Sequence, residues 1–208
     1  RSDLTTMVHE GGHAIHSFLY EKQELIDFKS PPSEVAELAS MSMELISMEH
    51  WEPFFSNADD FKRAKKEQLN DVLKGLPWIA SIDKFQHWIY TNPKHTLQER
   101  YDCWMQISKD FGTGVVDYSG LENNLQRSWQ AQLHLYEVPF YYIEYGMAQL
   151  GAIAMWRSYK QNPKQALENY KKALSLGYLK TIPELYAAAG IKFDFSPAYR
   201  SEERRVGK

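Results

Sequence analysis

Two histidines four residues apart, with a glutamate directly after the first, form the segment of this chain best suited to chemistry. They are His9, Glu10 and His13, in the pattern His-Glu-x-x-His. Residues i and i+4 of a helix lie on one face, so both imidazoles can reach a single metal ion. The glutamate then points beside the metal, where its carboxylate can hold an attacking water. The spacing predicts a centre with one zinc ion that hydrolyses its substrate with metal-activated water.

The competing interpretation is a helix that carries unrelated polar residues on one side. The surrounding sequence argues against it, because two histidines without a ligand in an apolar setting would lack partners. The apolar neighbours are Leu4, Val8, Ala14, Ile15, Phe18 and Leu19. Inside the motif, Gly11 and Gly12 each cost about 1 kcal/mol of helix stability relative to alanine. Two glycines in a row predict that a substrate or a crossing helix packs close to the backbone there.

A zinc centre with two histidines needs a third protein ligand, and a carboxylate is usual. The next predicted helix offers Glu34, Glu37 and Glu44. Glu37 and Glu44 share a face over two turns, and Glu34 lies one turn before Glu37 on nearly the same face. Spacing alone does not separate Glu34 from Glu37. His16 lies a full turn beyond the histidine pair, so we expect it to support or pack against the site.

Helix boundary signals recur along the chain, whereas strand signals are scarce, and this predicts an all-α domain. The glycine-rich stretch 112–120 predicts a loop. In chain order, the predicted helices run from a cap at Asp3 or Thr5 to about Glu21, from about Glu34 to Met48, from Asn57 to an interruption at Gly75 and Pro77, over Trp78–Tyr90, from Thr96 to Gly112, over Tyr145–Tyr159, from Asn162 to just before Gly177, and from Thr181 to Gly190.

Composition gives few further indications of function. The 208 residues are 43% hydrophobic and 25% charged, with a formal net charge of -3, so nothing suggests a nucleic-acid partner. No apolar stretch is long enough to span a membrane, and we expect no membrane partner. The single Cys103 excludes a disulfide within the chain, which fits a reducing compartment. We interpret residues 1–199 as one catalytic domain and residues 200–208, a charge run, as a disordered or non-native tail.

One segment could be mistaken for a repeat. Residues 162–177, with the sequence NPKQALENYKKALSLG, look like half of a tetratricopeptide unit. That architecture needs several copies at a fixed period to bury its core, and the sequence holds one. We therefore favour an ordinary amphipathic helix. A non-catalytic helical scaffold is retained as an alternative function, and it predicts no bound metal.

At these residues the chain resembles the thimet oligopeptidase and oligoendopeptidase F family of zinc peptidases, especially the bacterial oligoendopeptidase F branch. The resemblance runs from the His-Glu-x-x-His helix through residues 32–44, PSEVAELASMSME, to the tyrosine-rich segment His134–Gly146. It implies the C-terminal catalytic part of a longer protein, which we expect in a bacterial cytoplasm. The implied fold is a zincin-like helical domain at the floor of a substrate channel, with the other wall supplied by a missing N-terminal part.

The resemblance also implies roles for the glutamates. In the family the third zinc ligand is a glutamate early in the helix after the motif, with a second glutamate seven residues later. Glu37 and Glu44 have this pairing, whereas the residue seven after Glu34 is Met41. Glu37 is therefore the implied ligand, and Glu44 the implied partner of a zinc-bound histidine.

Substrate-binding residues are implied by the late segment of the resemblance. His134, Tyr142 and Tyr145 match the family residues that bind the substrate backbone and the oxyanion, and Tyr141 is a further expected substrate contact. Pro139 departs from the pattern of some relatives, which leaves the register of this loop open. Judged without the family, the segment would read as an aromatic core stripe.

The expected activity is hydrolysis of internal bonds in short peptides, with Glu10 as general base and Tyr145 or His134 donating hydrogen bonds to the oxyanion. A zinc aminopeptidase is the rival enzyme class. It would need a recognition site for a free amino terminus, which the sequence does not indicate. A third possibility is a fragment that binds zinc and cleaves poorly because part of the channel is missing.

Overall fold

The computed structural model describes residues 1–199, and all regular structure in this range is helical. The predicted all-α fold class is therefore confirmed, and the predicted tail at 200–208 lies outside the described residues. The helices are α1 (Ser2–Tyr20), α2 (Ser33–Ser47), α3 (Ala58–Thr91), α4 (Leu97–Phe111), α5 (Glu122–Leu125), α6 (His134–Glu137), α7 (Tyr142–Gln161), α8 (Pro163–Ser175) and α9 (Ile182–Ala188), with 3-10 turns at Ile26–Lys29, Met48–His50, Glu52–Phe54 and Ser128–Ala131. None of these helices combines the length and apolar composition that a membrane span requires.

The chain divides into two compact units. One consists of Arg1–Leu69 together with the segment that begins at Met147, and the other is Asn70–Gly146. The first unit holds α1, α2, α8 and α9, and the second holds α4, α5 and α6. The interpretation of residues 1–199 as one catalytic domain stays a prediction.

The core of the first unit is built around α2. Its residues Val35, Leu38 and Ala39 are buried in one apolar cluster with side chains of α7, α8 and α9. Two buried phenols bond to its backbone: the Tyr170 hydroxyl donates to Ala39 O at 2.7 Å, and the Tyr186 hydroxyl donates to Glu34 O at 3.0 Å. These contacts fix both the position and the rotation of α2, and so the directions of its glutamates.

The tetratricopeptide-like segment is part of this same core. In α8, Ala166, Tyr170, Ala173 and Leu174 are buried, and they follow the spacing of one helix face. Asn162 caps the helix through a bond from Gln165 N at 3.2 Å, and Pro163 is its first residue. The segment behaves as the ordinary amphipathic helix that the sequence favoured.

The second unit has its own aromatic core. Ile82, Phe85, Trp104, Ile107 and Trp129 form it, and none of them is more than 4% exposed. The Trp104 indole donates to Leu125 O at 3.0 Å and to Ser128 Oγ at 2.9 Å. This core joins α3 and α4 to the turn at 128–131 and thereby fixes the start of the segment that carries His134.

Several predicted boundaries agree with the structure. Capping boxes begin α4 at Thr96 and α9 at Thr181, and Gly112 ends α4. The loop predicted at 112–120 contains no helix or strand. Gly177 and Gly190, just past α8 and α9, have φ of +54° and +77°, which glycine adopts without strain.

Other predicted boundaries were wrong. The interruption expected at Gly75 and Pro77 does not occur, because α3 is continuous with Pro77 inside it. Proline removes one backbone donor and leaves the Leu73 carbonyl without its helical partner, at a residue that is 68% exposed. The first helix begins without a side-chain cap, since the Thr5 hydroxyl donates back to Arg1 O instead. Helix α7 begins at Tyr142, three residues earlier than predicted.

Candidate active site

The backbones of α1 and α2, the two helices of the site, come close together at one glycine of the motif. A Cβ on Gly12 would lie 2.6 Å from Ser40 Cα and 2.9 Å from Ala39 O, whereas a Cβ on Gly11 would meet nothing within 4 Å. A crossing helix therefore explains Gly12, and Gly11 lies against open space. The close crossing brings the motif of α1 next to the glutamates of α2.

Three of the predicted ligands come together at this crossing. His9 Nε2 lies 3.5 Å from Glu37 Oε2, and His13 Nε2 lies 3.8 Å from the same oxygen. One ligand atom from each of the three residues lies within 4.8 Å of the others. In a tetrahedral site with zinc bonds of about 2.1 Å, ligand atoms are about 3.4 Å apart, so two imidazoles and a carboxylate fit such an ion with little movement. Glu34 lies outside this group of atoms.

The orientation of the first histidine is set by a chain of hydrogen bonds that leads away from the site. His9 Nδ1 lies 2.6 Å from Glu44 Oε1, and the Gln68 amide donates to Glu44 Oε2 at 2.6 Å. The Gln68 oxygen in turn accepts from the Arg1 guanidinium at 3.2 Å, and the Thr5 hydroxyl lies 3.4 Å from the same oxygen. With the hydrogen on Nδ1 donated to Glu44, His9 directs Nε2 toward His13 and Glu37. We call His9, His13 and Glu37 together the ligand group. Gln68 is not among the predicted site residues, because no motif or spacing in the sequence distinguishes it.

The site has the electrostatics of a cation site. The hydrogen bond from His9 to Glu44 raises the pKa of His9; burial opposes this, and the charges of Glu44, Glu37 and Glu10 add to the increase. Glu37 is 9% exposed, and its Oε2 accepts a bond from the Ser40 hydroxyl at 2.9 Å. The carboxylates that favour a proton on His9 would equally favour a metal ion. Glu10, which follows His9 in the chain, is exposed to solvent.

His16 lies outside the ligand group. It is 2% exposed and its ring packs edge-on against Tyr20 at 4.9 Å. Burial, with a smaller effect from the charge of His13, lowers its pKa to about 4. Within residues 1–199 its Nε2 has no hydrogen-bond partner. His16 is therefore a neutral, packed imidazole at neutral pH, and its supporting role for the site stays a prediction.

The predicted substrate-binding residues form a ring cluster in the second unit. The His134 ring lies 6.1 Å from Tyr141, 4.9 Å from Tyr142 and 5.7 Å from Tyr145, measured between centroids. Burial raises the pKa of Tyr142, and a hydrogen bond with Trp78 offsets part of that increase. The phenol is therefore protonated at neutral pH and can donate. The four residues are brought together as a group, and their substrate roles remain predictions.

The chain matches the family model described as Peptidase family M3 over residues 1–204. It is 28% identical over 184 residues to an oligoendopeptidase F homolog of Borreliella burgdorferi, covering 84% of this chain and 30% of that protein. It is 24% identical to the oligopeptidase PepF of Bacillus subtilis, covering 91% of this chain and 28% of that protein. The chain thus spans less than a third of the length of these relatives.

Solved structures give the same result. A putative oligoendopeptidase F from Bacillus anthracis is 28% identical with a TM-score of 0.79, and the match covers 99% of this chain and 34% of that one. PZ peptidase A, solved with an inhibitor, is 30% identical with a TM-score of 0.88, covering 99% of this chain and 37% of that one.

Proposed function

Since the chain belongs to peptidase family M3, we propose that it carries the zinc centre of a metalloendopeptidase that cleaves internal bonds of short peptides. One observation carries this proposal: His9, His13 and Glu37 converge on one point at the crossing of α1 and α2, with Glu10 exposed beside them. Two imidazoles and one carboxylate, with an adjacent carboxylate left free, are the groups that metal-assisted hydrolysis of an amide needs.

The roles of the side chains follow from their chemistry. Zinc bound by His9, His13 and Glu37 would supply a Lewis acid that acidifies a water and polarises the scissile carbonyl. Glu10 takes the proton of that water as general base and later delivers it to the leaving amine. In the aromatic cluster, His134 and Tyr145 donate hydrogen bonds to the oxygen that gains negative charge.

The remaining two residues of the cluster contact the backbone of the peptide. Tyr141 and Tyr142 have hydroxyls that can bind its backbone groups, which every peptide presents whatever its sequence. If the peptide is recognised through its backbone, its length and accessibility decide whether it is cleaved more than the identity of its side chains does.

We further propose that this chain acts as the C-terminal catalytic part of a longer bacterial cytoplasmic protein. The support is that it covers only 30% and 28% of the length of the two bacterial relatives. In that arrangement the N-terminal part completes a channel over the zinc centre and restricts entry to short, unfolded peptides.

The first experiment measures zinc content and cleavage together. The chain is expected to bind one zinc ion, detected by atomic absorption, and to cleave a fluorogenic peptide blocked at both ends until a chelator is added. Glu10→Gln should keep the zinc and lose turnover. Zinc binding without cleavage would overturn an endopeptidase function for this chain, and absence of zinc would favour the scaffold. Cleavage confined to peptides with a free amino terminus would identify an aminopeptidase.

A second experiment tests the third ligand. Glu37→Ala should lose bound zinc, whereas Glu34→Ala should retain it, because the Glu34 side chain lies outside the ligand group. The two variants remove the same charge from the same helix, one turn apart. If zinc content falls in Glu34→Ala and not in Glu37→Ala, the proposed ligand set is wrong.

A further inference from the structure

Gln132 lies between an indole and an imidazole, and its side chain bonds to both. The Trp78 indole N–H, which also interacts with the Tyr142 hydroxyl, donates to Gln132 Oε1 at 3.2 Å. Gln132 Nε2 lies 2.6 Å from His134 Nδ1. The backbone of Gln132 is fixed as well, since its N–H donates to Trp129 O at 3.0 Å and its carbonyl accepts from Leu135 N at 3.1 Å. The residue therefore occupies a defined place between the turn at 128–131 and α6.

Chemistry fixes which way the Gln132 amide points. An indole N–H can only donate, so the amide atom that faces Trp78 must be the oxygen. The amide NH2 group then faces His134. In the reverse orientation two donors, the indole N–H and the amide N–H, would face each other at 3.2 Å, and no hydrogen bond could form.

The amide orientation in turn fixes the imidazole. Because Gln132 donates to His134 Nδ1, this nitrogen must be the unprotonated acceptor, and a neutral ring then carries its hydrogen on Nε2. We propose that Gln132, held by Trp78, is a positioning residue that keeps His134 in the Nε2–H tautomer. Among the surrounding tyrosines, His134 then acts as a hydrogen-bond donor at Nε2.

The tautomer decides what His134 can do in the proposed reaction. A ring with its hydrogen on Nε2 can donate to a developing oxyanion, whereas a ring with its hydrogen on Nδ1 offers a lone pair there and would repel it. This part of the inference rests on the proposed peptidase function. The tautomer itself does not, because it follows from the contacts that Gln132 makes with Trp78 and His134.

The decisive variant is Gln132→Glu, which keeps the size of the side chain and replaces the amide donor with an acceptor. Trp78 can still donate to one carboxylate oxygen, but the other oxygen can only accept, so His134 must carry its hydrogen on Nδ1. Nitrogen-15 NMR of the histidine rings distinguishes the two tautomers. Spectra are recorded at about pH 9, above the ordinary histidine pKa of about 6.5, with chelator present. The His134 signals are identified by their loss in His134→Phe.

The proposal expects Nε2–H in the unsubstituted chain and Nδ1–H in Gln132→Glu. Gln132→Met, which has similar size and no hydrogen bond, is the control, and it should not show the Nδ1–H form that Gln132→Glu produces. Nδ1–H in the unsubstituted chain would overturn the proposal, and so would an unchanged tautomer in a folded Gln132→Glu chain. If Gln132→Glu does not fold, Trp78→Phe replaces it: the amide is then free to turn, and a population of Nδ1–H is expected.

A kinetic measurement separates this inference from the proposed function. In a chain that cleaves the end-blocked peptide, Gln132→Glu should lower kcat on the order of 100-fold, the scale on which loss of one oxyanion donor acts. Zinc content and KM should change little. A tautomer switch with unchanged kcat would retain the positioning role and remove His134 from oxyanion stabilisation. An inactive parent chain would overturn the proposed function and leave the NMR result standing.

Discussion

Glu44 and His9 are joined by a hydrogen bond of 2.6 Å between Oε1 and Nδ1. The bond holds the imidazole with Nε2 directed at the ligand group, 3.5 Å from Glu37 Oε2. It also makes the ring more basic, since the carboxylate stabilises positive charge on it. In the proposed zinc centre, Glu44 would therefore act on the metal through His9 and need not touch the ion.

Glu44→Gln is predicted to weaken zinc binding about 10- to 100-fold, because the amide keeps the shape of the carboxylate and loses its charge. The measurement is competition with a chromophoric chelator. Glu34→Gln is the matched control, since it removes the same charge from α2 outside the ligand group. Equal losses of affinity in the two variants would mean that net charge, and not the bond to His9, accounts for the effect.

Gln68 is predicted to support zinc binding although two hydrogen bonds, through Glu44, separate it from the ligand group. It is 3% exposed and donates to Glu44 Oε2 at 2.6 Å. Gln68→Met keeps the volume but leaves this oxygen without its donor, so Glu44 can turn away from His9. We expect about tenfold weaker zinc binding. The double variant Glu44→Gln with Gln68→Met tests the route: if the two effects simply add, Gln68 does not act through Glu44.

A site residue could be predicted from the sequence when its partners lie on the same helix, and not when they lie far away in the chain. His9, Glu10 and His13 lie on one helix, so periodicity alone placed the two imidazoles together. Glu37 lies on another helix. Spacing does not distinguish it from Glu34 as the third ligand, whereas the family resemblance favours Glu37. The difference is physical: which glutamate faces α1 depends on how α2 is rotated, and that rotation is set by core packing and by bonds from residues about 130 to 150 positions later.

Gln68 and Gln132 could not have been predicted at all. Each is an ordinary glutamine whose importance comes from partners brought together by the fold, such as Arg1 with Gln68 and Trp78 with Gln132. The predicted interruption at Gly75 and Pro77 was wrong for a related reason. Local propensity argues for an interruption there, but Ile79, Ile82 and Phe85 continue the buried face just beyond it, and packing of that face outweighs the loss of one backbone hydrogen bond.

The two adjacent glycines of the motif are predicted to respond in opposite ways to alanine. At Gly12 a Cβ would meet the Ser40 backbone at 2.6 Å, so α1 and α2 must move apart. We expect Gly12→Ala to lower the free energy of unfolding by about 1–3 kcal/mol. At Gly11 nothing lies within 4 Å of a Cβ, so Gly11→Ala should raise the free energy of unfolding by up to about 1 kcal/mol, because alanine has the higher helix propensity.

Urea unfolding of the metal-free chain measures both glycine effects, and the pair controls for substitution inside the motif. The variants introduce the same methyl group one residue apart, so only the surroundings differ. Equal destabilisation by both alanines would contradict the close crossing at Gly12. Zinc binding by Gly11→Ala should be retained, since neither helix has to move.

His16 is predicted to make the chain less stable in mild acid. Its pKa in the folded chain is about 4, lowered mainly by burial, against about 6.5 when unfolded. Between these values the unfolded chain binds more protons than the folded chain, so the free energy of unfolding falls as pH falls. From pH 7.5 to pH 5, the contribution of this one group is about 2 kcal/mol.

The comparison that isolates His16 is the pH slope of stability in the parent chain and in His16→Phe, which keeps a ring against Tyr20. Urea unfolding with chelator at pH 7.5 and pH 5 should show a smaller loss of stability in the variant. The raised pKa of His9 works in the opposite direction, since protonating it favours the folded chain, but it is common to both proteins and cancels. Parallel slopes would mean that His16 is not buried in neutral form. A smaller slope in His16→Phe would show that acid lowers the free energy of unfolding through His16, a histidine of α1 outside the ligand group.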